Sequence, residues 1–428
     1  MKKLCLLFLL LYIQIIFGQK YISVSKEGQL INNGKPYNFI GANYWYGPML
    51  PLLTIEDKGV ERLKRELDFL AKNNVKNLRV VIGVEGEGFI QGNARVEPPY
   101  MISKNTFNDE VLKGLDVFMD EASKRDIKIV LALSNMWEWS GGWMQYLYWN
   151  NQVSIEQLQN KANWEELRDL ISKFYTCEPC ISQYREKVKR IITRANSING
   201  KKYTEDETLM AWQIANEPRP MRPHVIPQFI QFISETAAYI KLLDQNHLVS
   251  IGSEGYIGSE NMDVFKEIHS DRNIDYLTIH IWPRNWDWID REDFLSTMNN
   301  GNQLTIQYIN DHISVARDLK KPLLIEEFGF PRDNHSFSIE ATTNFRNQYF
   351  QLIFDQLQKS IEQNGPIYGV NFWAFGGEAK PINNQIFWKK GDDYIGDPPF
   401  EEQGLYSVFR SDKETWKLIK KMTKKFEK

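Results

Sequence analysis

The sequence predicts a single-domain α/β protein, a (β/α)8 TIM barrel with elaborated βα loops. Three observations predict it. Short apolar runs recur eight times along the 428 residues, each followed by a helical stretch, and strand–helix alternation is the mark of a parallel sheet wrapped by helices. The runs are nearly continuous in apolar residues rather than alternating, as strands covered on both faces are. No Pro-, Ser- or Gly-rich linker and no low-complexity segment divides the chain, and one barrel with insertions uses this length. A doubly wound sheet is the competing fold, but its glycine fingerprint is missing. The nearest stretch, GVEGEG at 83–88, has the wrong spacing.

The elements follow in order. Lys2 and Lys3 precede apolar runs at 4–13 and 15–17, a charged start and a short apolar core too brief for a comfortable membrane span. Gly18 is a small residue suited to the cleavage position. We expect a signal peptide over 1–18 and a catalytic-size domain over 19–428, exported to the periplasm or secreted, with no stable membrane insertion after the leader is removed. The first strand is read at 37–45 (YNFIGANYW), with an amphipathic helix over 57–73. The second strand is read at 75–84 with a helix over 109–124, and the third at 127–134 with helices over 164–174 and 181–196. The fourth spans 209–216 before a helix over 226–243, and the fifth 247–253 before a helix over 262–269. The sixth spans 276–282 before a helix over 304–319, and the seventh 322–328 before a helix over 339–363. The eighth spans 368–375, and a helix over 413–426 closes the chain. Two stretches rich in Trp, Tyr, Gly and Pro, 140–161 and 381–402, read as long loops on the functional face.

Composition narrows the function. The formal net charge is −3 and no long basic block exists, so a nucleic-acid footprint is absent. Three Cys and six His exclude a multi-zinc architecture. Cys5 lies in the leader. Cys177 and Cys180, in Cys-Glu-Pro-Cys, suit a local disulfide in an exported chain. No cofactor is implied, no metal site is expected, and nothing demands an oligomer, so a monomer is expected. The chain holds 13 Trp, 19 Tyr and 24 Phe. A rigid aromatic core accounts for many of these, yet flat aromatic faces also suit sugar rings.

Polar residues stand at the ends of the apolar runs, where a barrel builds its chemistry. The strands supply, in turn, Asn43 and Trp45; Arg79; Ser134, Asn135, Trp137 and Glu138; Asn216 and Glu217; Ser253 and Glu254; His280 and Trp282; Glu326 and Glu327; and Trp373. Carboxyls from the fourth and seventh strands face each other across a barrel. Glycoside hydrolysis needs such a pair, one to protonate the leaving oxygen and one to attack the anomeric carbon or activate water. The amide of Asn216 suits a sugar hydroxyl beside the reacting carbon. Arg79 would hold a carboxylate ionised, His280 would orient a carboxyl, and Trp373 would floor the reacting ring. No Gly-x-Ser-x-Gly elbow and no His-Glu-x-x-His motif is present.

These residues stand in motifs that resemble glycoside hydrolase family 5: Leu-Arg-Val at 78–80, Trp-Gln-Ile-Ala-Asn-Glu-Pro-Arg at 212–219, His-Ile-Trp at 280–282, Glu-Phe-Gly at 327–329 and Asn-Phe-Trp at 371–373. The resemblance covers nearly the whole mature chain in the family's order. It implies a retaining hydrolase with Glu217 as acid/base and Glu327 as nucleophile. Sequence chemistry alone leaves Glu326 and Glu327 about even; the family's carboxylate before aromatic-Gly selects Glu327. Arg-x-Asn at 194–196, Ser-Glu-Gly-Tyr at 253–256, and Asn135, Trp137 and Gly141-Gly142 resemble the β-1,4-mannanase branch. That likeness implies sugar contacts by Arg219 on the leaving-group side and by Glu254 on the other; Trp45, Asn135, Trp137 and Trp282, at the strand ends, are further candidates for substrate contact. The family commonly has His-x-Tyr on strand six; Trp282 departs from it, and an indole N–H donates but does not accept.

The expected activity is endo-cleavage of β-mannan, whether mannan, glucomannan or galactomannan. An exo-acting β-mannosidase fits if the long loops wall off one end of the cleft. A β-glucan hydrolase on the same scaffold and a non-catalytic glycan-binding protein are the remaining alternatives. Trp143, Trp149, Trp286, Trp288 and Trp388 are candidates for outer subsites or for loop packing.

Overall fold

The structure, a computed structural model, describes residues 20–52 and 58–426. The expected leader lies outside them. Eight parallel strands run in chain order: β1 Phe39–Asn43, β2 Asn77–Val81, β3 Lys128–Ala132, β4 Leu209–Gln213, β5 Leu248–Ser250, β6 Leu277–Ile281, β7 Leu323–Phe328 and β8 Ile367–Phe372. Ladders join them in the order β5-β4-β3-β2-β1-β8-β7-β6, with β8 beside β1 from Gly369↔Phe39 to Phe372↔Ala42. The β5–β6 seam closes through bonds just outside the strands. His280 N donates to Glu254 O at 3.1 Å, Asp275 N to Val249 O at 2.8 Å, and Thr278 Oγ1 to Ser253 O at 3.0 Å. The barrel is therefore complete, as the eight apolar runs predicted.

One main helix follows each strand: α1 Lys58–Lys72, α2 Asp109–Ser123, α3 Glu178–Ile192, α4 Ile226–Leu243, α5 Met262–Ser270, α6 Phe294–Leu319, α7 Asn344–Glu362 and α8 Lys413–Phe426. Helix α1 buries Leu63, Leu67 and Leu70, the one-faced spacing of an amphipathic helix. Helix α2 is capped by Asn108, which accepts from Glu110 N, and carries Asp109 and Glu110 in its first turn, where the helix dipole favours acids. The Cys177–Cys180 bond is formed at the start of α3.

Two helix starts differ most from the sequence reading. Helix α6 begins at Phe294, ten residues before the expected start, with Asp293 accepting from Ser296 N as its cap. The weak helix formers around Asn299–Gly301 hid this turn. Gly301 is needed there, since a Cβ would meet Ile289 Cγ1 at 2.1 Å. Helix α7 begins at Asn344 rather than 339. Its cap comes from a distance: the Asp333 carboxylate accepts from Asn344 N at 3.0 Å and Phe345 N at 2.9 Å.

The hydrophobic core fills the barrel and the layer between strands and helices. A smaller cluster of Ile22, Leu30, Phe39, Met210, Leu248, Tyr276 and Leu324 plugs the strands' starting ends. That leaves the opposite end for chemistry. There the stretch 140–161 is more ordered than a loop, holding helices Gly142–Trp149 and Ile155–Gln159. The stretch 381–402 is irregular, framed by the paired strands Phe375–Gly377 and Val408–Phe409.

Candidate active site

A cleft of 410 Å³ opens at the C-terminal ends of the strands, lined among others by Trp137, Glu217, Glu254, Trp282, Glu327, Trp373 and Glu401. At its floor stand the two carboxyls expected from β4 and β7. Glu217 sits just past β4 with φ +49°, a left-handed conformation uncommon outside glycine and typical of residues held by function. Its N–H donates to Gly252 O at 2.9 Å. Gly252 itself has φ +85°, and a Cβ there would lie 2.0 Å from Ala215 O. Glu327 lies within β7, 2% exposed.

Three groups hold the pair. The Arg79 guanidinium forms an ion pair with Glu327 Oε1. The same guanidinium donates to Asn216 Oδ1 at 2.7 Å, Gln213 Oε1 at 2.8 Å and Asn43 Oδ1 at 3.1 Å. His280 Nδ1 stands 2.6 Å from Glu217 Oε1 and 3.3 Å from Glu327 Oε2, so one ring nitrogen bridges both carboxyls. Trp137 Nε1 donates to Glu217 Oε2 at 2.5 Å. One ligand atom each from Glu217, His280 and Glu327 lies within 4.8 Å of the others, the one such grouping of metal-ligating side chains among the described residues. Arg79 already brings positive charge to Glu327, so the carboxylate does not require a cation for neutralisation.

Electrostatics separate the roles. Burial pushes Glu327 well above the usual carboxylate range, the neighbouring Glu217 charge pushes it further, and Arg79 pulls it back. Burial also lifts Glu217; Arg219, Trp137, Arg79 and Trp282 oppose that lift. Two carboxyls this close favour holding one proton between them. The direct guanidinium contact favours the anion on Glu327 and leaves the proton to Glu217. His280 is driven well below its ordinary value by burial and by Arg79, so it acts as a neutral hydrogen-bonding ring. Glu326 points elsewhere: Gln213 Nε2 and Tyr276 Oη donate to its carboxylate, and it lies outside the cleft lining.

The structure sorts the remaining candidates. Asn216 lines the cleft, and its Nδ2 donates to Asn135 Oδ1 at 3.0 Å. Asn135, Arg79 and His280 are fully buried behind the lining and position what the cleft presents. Trp373 and Trp282 form an edge-to-face pair at 6.0 Å, and both line the cleft. Arg219 and Glu254, expected on opposite sides of the scissile bond, are bonded to each other through two contacts at 2.5 and 2.7 Å, with Trp137 under the guanidinium at 5.2 Å. They form one joint surface.

Trp45 is not brought to the cleft surface. It is 2% exposed, and its indole donates to Gly396 O at 2.8 Å beneath the loop after β8. Of the outer tryptophans, Trp286 lines the cleft. Trp143 is fully buried, stacked on Phe174 at 4.1 Å, and Trp388 stacks on Tyr394 at 5.3 Å.

Sequence reasoning missed several lining groups. Phe400, Glu401, Glu402 and Tyr406 arrive from the loop after β8, Arg284 and Asn285 from the loop after β6, and Trp164 from the helix start after β3. Trp164 stacks on Trp137 at 6.3 Å. Burial and the charge of Asp397 push Glu401 well above the usual carboxylate range. The Trp164 ring followed the Asn163 helix cap, and the loop reading of 381–402 placed Phe400, Glu401 and Glu402 on the functional face without saying which would enter the cleft.

A family model described as GH family 5 beta-mannosidase-like matches residues 19–428. The chain belongs to glycoside hydrolase family 5. It is a glycoside hydrolase, and the two carboxyls at the ends of β4 and β7 suit that chemistry. A solved family 5 mannosidase from Rhizomucor miehei, in complex with mannosyl-fructose, is 28% identical with a TM-score of 0.84, covering 95% of this chain and 97% of that one. Mannan endo-1,4-beta-mannosidase 4 of Solanum lycopersicum is 29% identical over 303 residues, 68% of this chain and 69% of that protein. The endo-beta-1,4-mannanase of Thermotoga petrophila shares the fold at 24% identity and a TM-score of 0.66, covering 92% of this chain and 78% of that one.

Proposed function

We propose that the protein is an exported, retaining endo-β-1,4-mannanase, cleaving internal bonds of mannan, glucomannan or galactomannan. One observation carries the reading: oxygens of Glu217 and Glu327 and one nitrogen of His280 gather within 4.8 Å. Retaining glycosidases hold their carboxyls about 5–5.5 Å apart, whereas inverting ones leave room for water at about 6.5–9.5 Å. In the first step Glu217 gives its proton to the glycosidic oxygen while Glu327 attacks the anomeric carbon. The bond to the leaving sugar breaks and a glycosyl ester forms on Glu327. In the second step the Glu217 carboxylate takes a proton from water, the water oxygen attacks the same carbon, and Glu327 is released. Arg79 holds the nucleophile ionised, His280 keeps the two carboxyls in register, and Trp373 faces the reacting ring. The mannan substrate rests on the named activities of the relatives and on the aromatic cleft. Residues 1–18 serve as the export signal in this reading, and the protein acts as a monomer.

A second reading is favoured by the loop after β8. Phe400, Glu401 and Glu402 line the cleft, and a wall there shortens the track available to a polymer. The mannosidase likeness, at a TM-score of 0.84 against 0.66 for the endo-mannanase, points the same way, to release from chain ends. Digestion of linear mannan by the mature chain decides. A ladder of oligosaccharides early in the reaction supports the endo reading, a single small product supports the exo reading, and no product overturns both.

A further inference from the structure

Large apolar side chains are seldom grouped on an exposed surface without a partner. Here three of them gather at one rim of the functional face: Phe89, Ile386 and Phe387, exposed by 64, 49 and 46%. Phe89 follows β2 and the other two follow β8, so they stand at the C-terminal end of the barrel beside β8 and β2. The cleft lies alongside, lined from β3 round to the loop after β8. Two adjoining depressions, of 690 and 810 Å³, lie at this rim. They share Gly88, Glu97, Trp388 and Lys390.

The two loops that build the groove are tied together. Glu97 N donates to Tyr394 Oη at 3.1 Å, Tyr394 Oη donates to Glu97 O at 2.7 Å, and Lys390 pairs with Glu97 at 2.6 Å. A line of ring contacts connects groove and cleft. Trp139, in the cleft lining, meets Trp45 at 5.6 Å; Trp45 meets Tyr394 at 5.2 Å; Tyr394 stacks on Trp388 in the groove. The loop that supplies Ile386 and Phe387 to the groove also supplies Phe400 and Glu401 to the cleft. The two surfaces thus share walls on one face.

We propose that this groove is a second carbohydrate-binding surface, which holds a stretch of the same β-mannan chain outside the catalytic cleft. This rests on the mannan reading of the cleft. A β-linked mannan presents apolar ring faces and hydroxyl edges. The groove offers the Phe89 and Phe387 rings beside the side-chain amides of Asn93, Asn384 and Gln385. Its charged lining is Glu87, Glu97, Asp392 and Asp393 against Lys389 and Lys390, an acidic balance that suits a neutral polymer and disfavours an anionic one. A groove beside a cleft raises the local concentration of polymer at the scissile site without new contacts to the reacting sugar.

The test compares the full chain with its Phe89→Ala/Phe387→Ala variant. Each is also made in the Glu327→Ala background for binding to insoluble linear mannan without turnover. We expect the double substitution to weaken mannan binding and slow insoluble-mannan turnover by about 5- to 10-fold, the loss of two ring contacts. Its kcat/KM on mannotetraose should stay at the wild-type level. Unchanged binding overturns the proposal, as does an equal loss on mannotetraose, which would place the rings in the cleft's own function. A wild-type dimer in sedimentation that the substitutions abolish overturns it in favour of a second copy of the chain. Failure of the mannan reading looks different: the wild type then cuts neither mannotetraose nor mannan.

Discussion

Arg79 is the residue on which the charge of the site turns. It is fully buried and spends its guanidinium on Glu327, Asn216, Gln213 and Asn43. Burial and the Glu217 charge lift Glu327, and Arg79 opposes them. In the proposed mechanism attack requires Glu327 ionised, so activity on the acid side is lost as pH falls and the carboxylate held by Arg79 takes up a proton. Replacing Arg79 by Gln removes the opposing charge. The acidic limb of the kcat/KM profile should then move upward by about 1 unit or more, with kcat reduced at every pH. An unmoved limb in a folded variant would separate Arg79 from the ionisation of Glu327. In the same mechanism the basic limb belongs to Glu217, which burial lifts, so the proton it must deliver is lost as pH rises. Glu217→Ala should cut turnover of mannan by about 10²–10⁴-fold, yet spare much of the first step on an aryl mannoside whose leaving group needs no proton. Comparable losses on both substrates would count against its role as the acid. Strand-end position made Glu217, Glu327, Arg79 and His280 legible, because a barrel aims those side chains at one place. Trp45 was misjudged because type and position do not say which ring a later loop will cover. Glu401 was invisible because an irregular loop carries no period that reports its direction.

At the scale of elements, short-range chemistry placed strands well and helix starts less well. The strands were legible because burial on both faces selects runs that are nearly continuous in apolar residues. The start of α7 was misplaced because its cap, Asp333, lies eleven residues before Asn344, and no local pattern records a cap that returns from a distance. The joint between β4 and β5 carries the sharpest local constraint. Gly252 has φ +85°, its Cβ would lie 2.0 Å from Ala215 O, and its carbonyl receives Glu217 N–H. Gly252→Ala should cost about 1–3 kcal/mol of stability and lower kcat about 100-fold through displacement of Glu217. Denaturant unfolding and steady-state kinetics on a soluble mannan check both. A normal kcat would show that the Glu217 backbone tolerates a shift at its support. The disulfide acts on a different element. Cys177 and Cys180 close a very short loop at the start of α3, so the chain entropy they remove is small. Their joint replacement by Ser should lower the melting temperature modestly and leave KM unchanged.

For the whole molecule, the order of eight strand–helix units was readable, and that order sets two carboxyls facing each other. β4 and β7 face each other across a barrel whose closure depends on every ladder and on the bonded β5–β6 seam. The distance between their terminal carboxyls is therefore a property of barrel geometry rather than of either side chain. His280 enters from β6 and meets both carboxyls through one nitrogen, a close pairing that supports the proposed attack by Glu327 rather than by water. In the proposed mechanism the nucleophile is Glu327 itself, and two successive displacements at one carbon restore its configuration. Proton NMR of the first products from a manno-oligosaccharide should show the β-anomer before mutarotation brings in the α-anomer. Methanol added to the reaction should yield a methyl β-mannoside, because a glycosyl ester on Glu327 can be captured by an alcohol as well as by water. First appearance of the α-anomer would mean that water, not Glu327, attacks, and that the barrel opens to about 6.5–9.5 Å between the carboxyls when substrate binds.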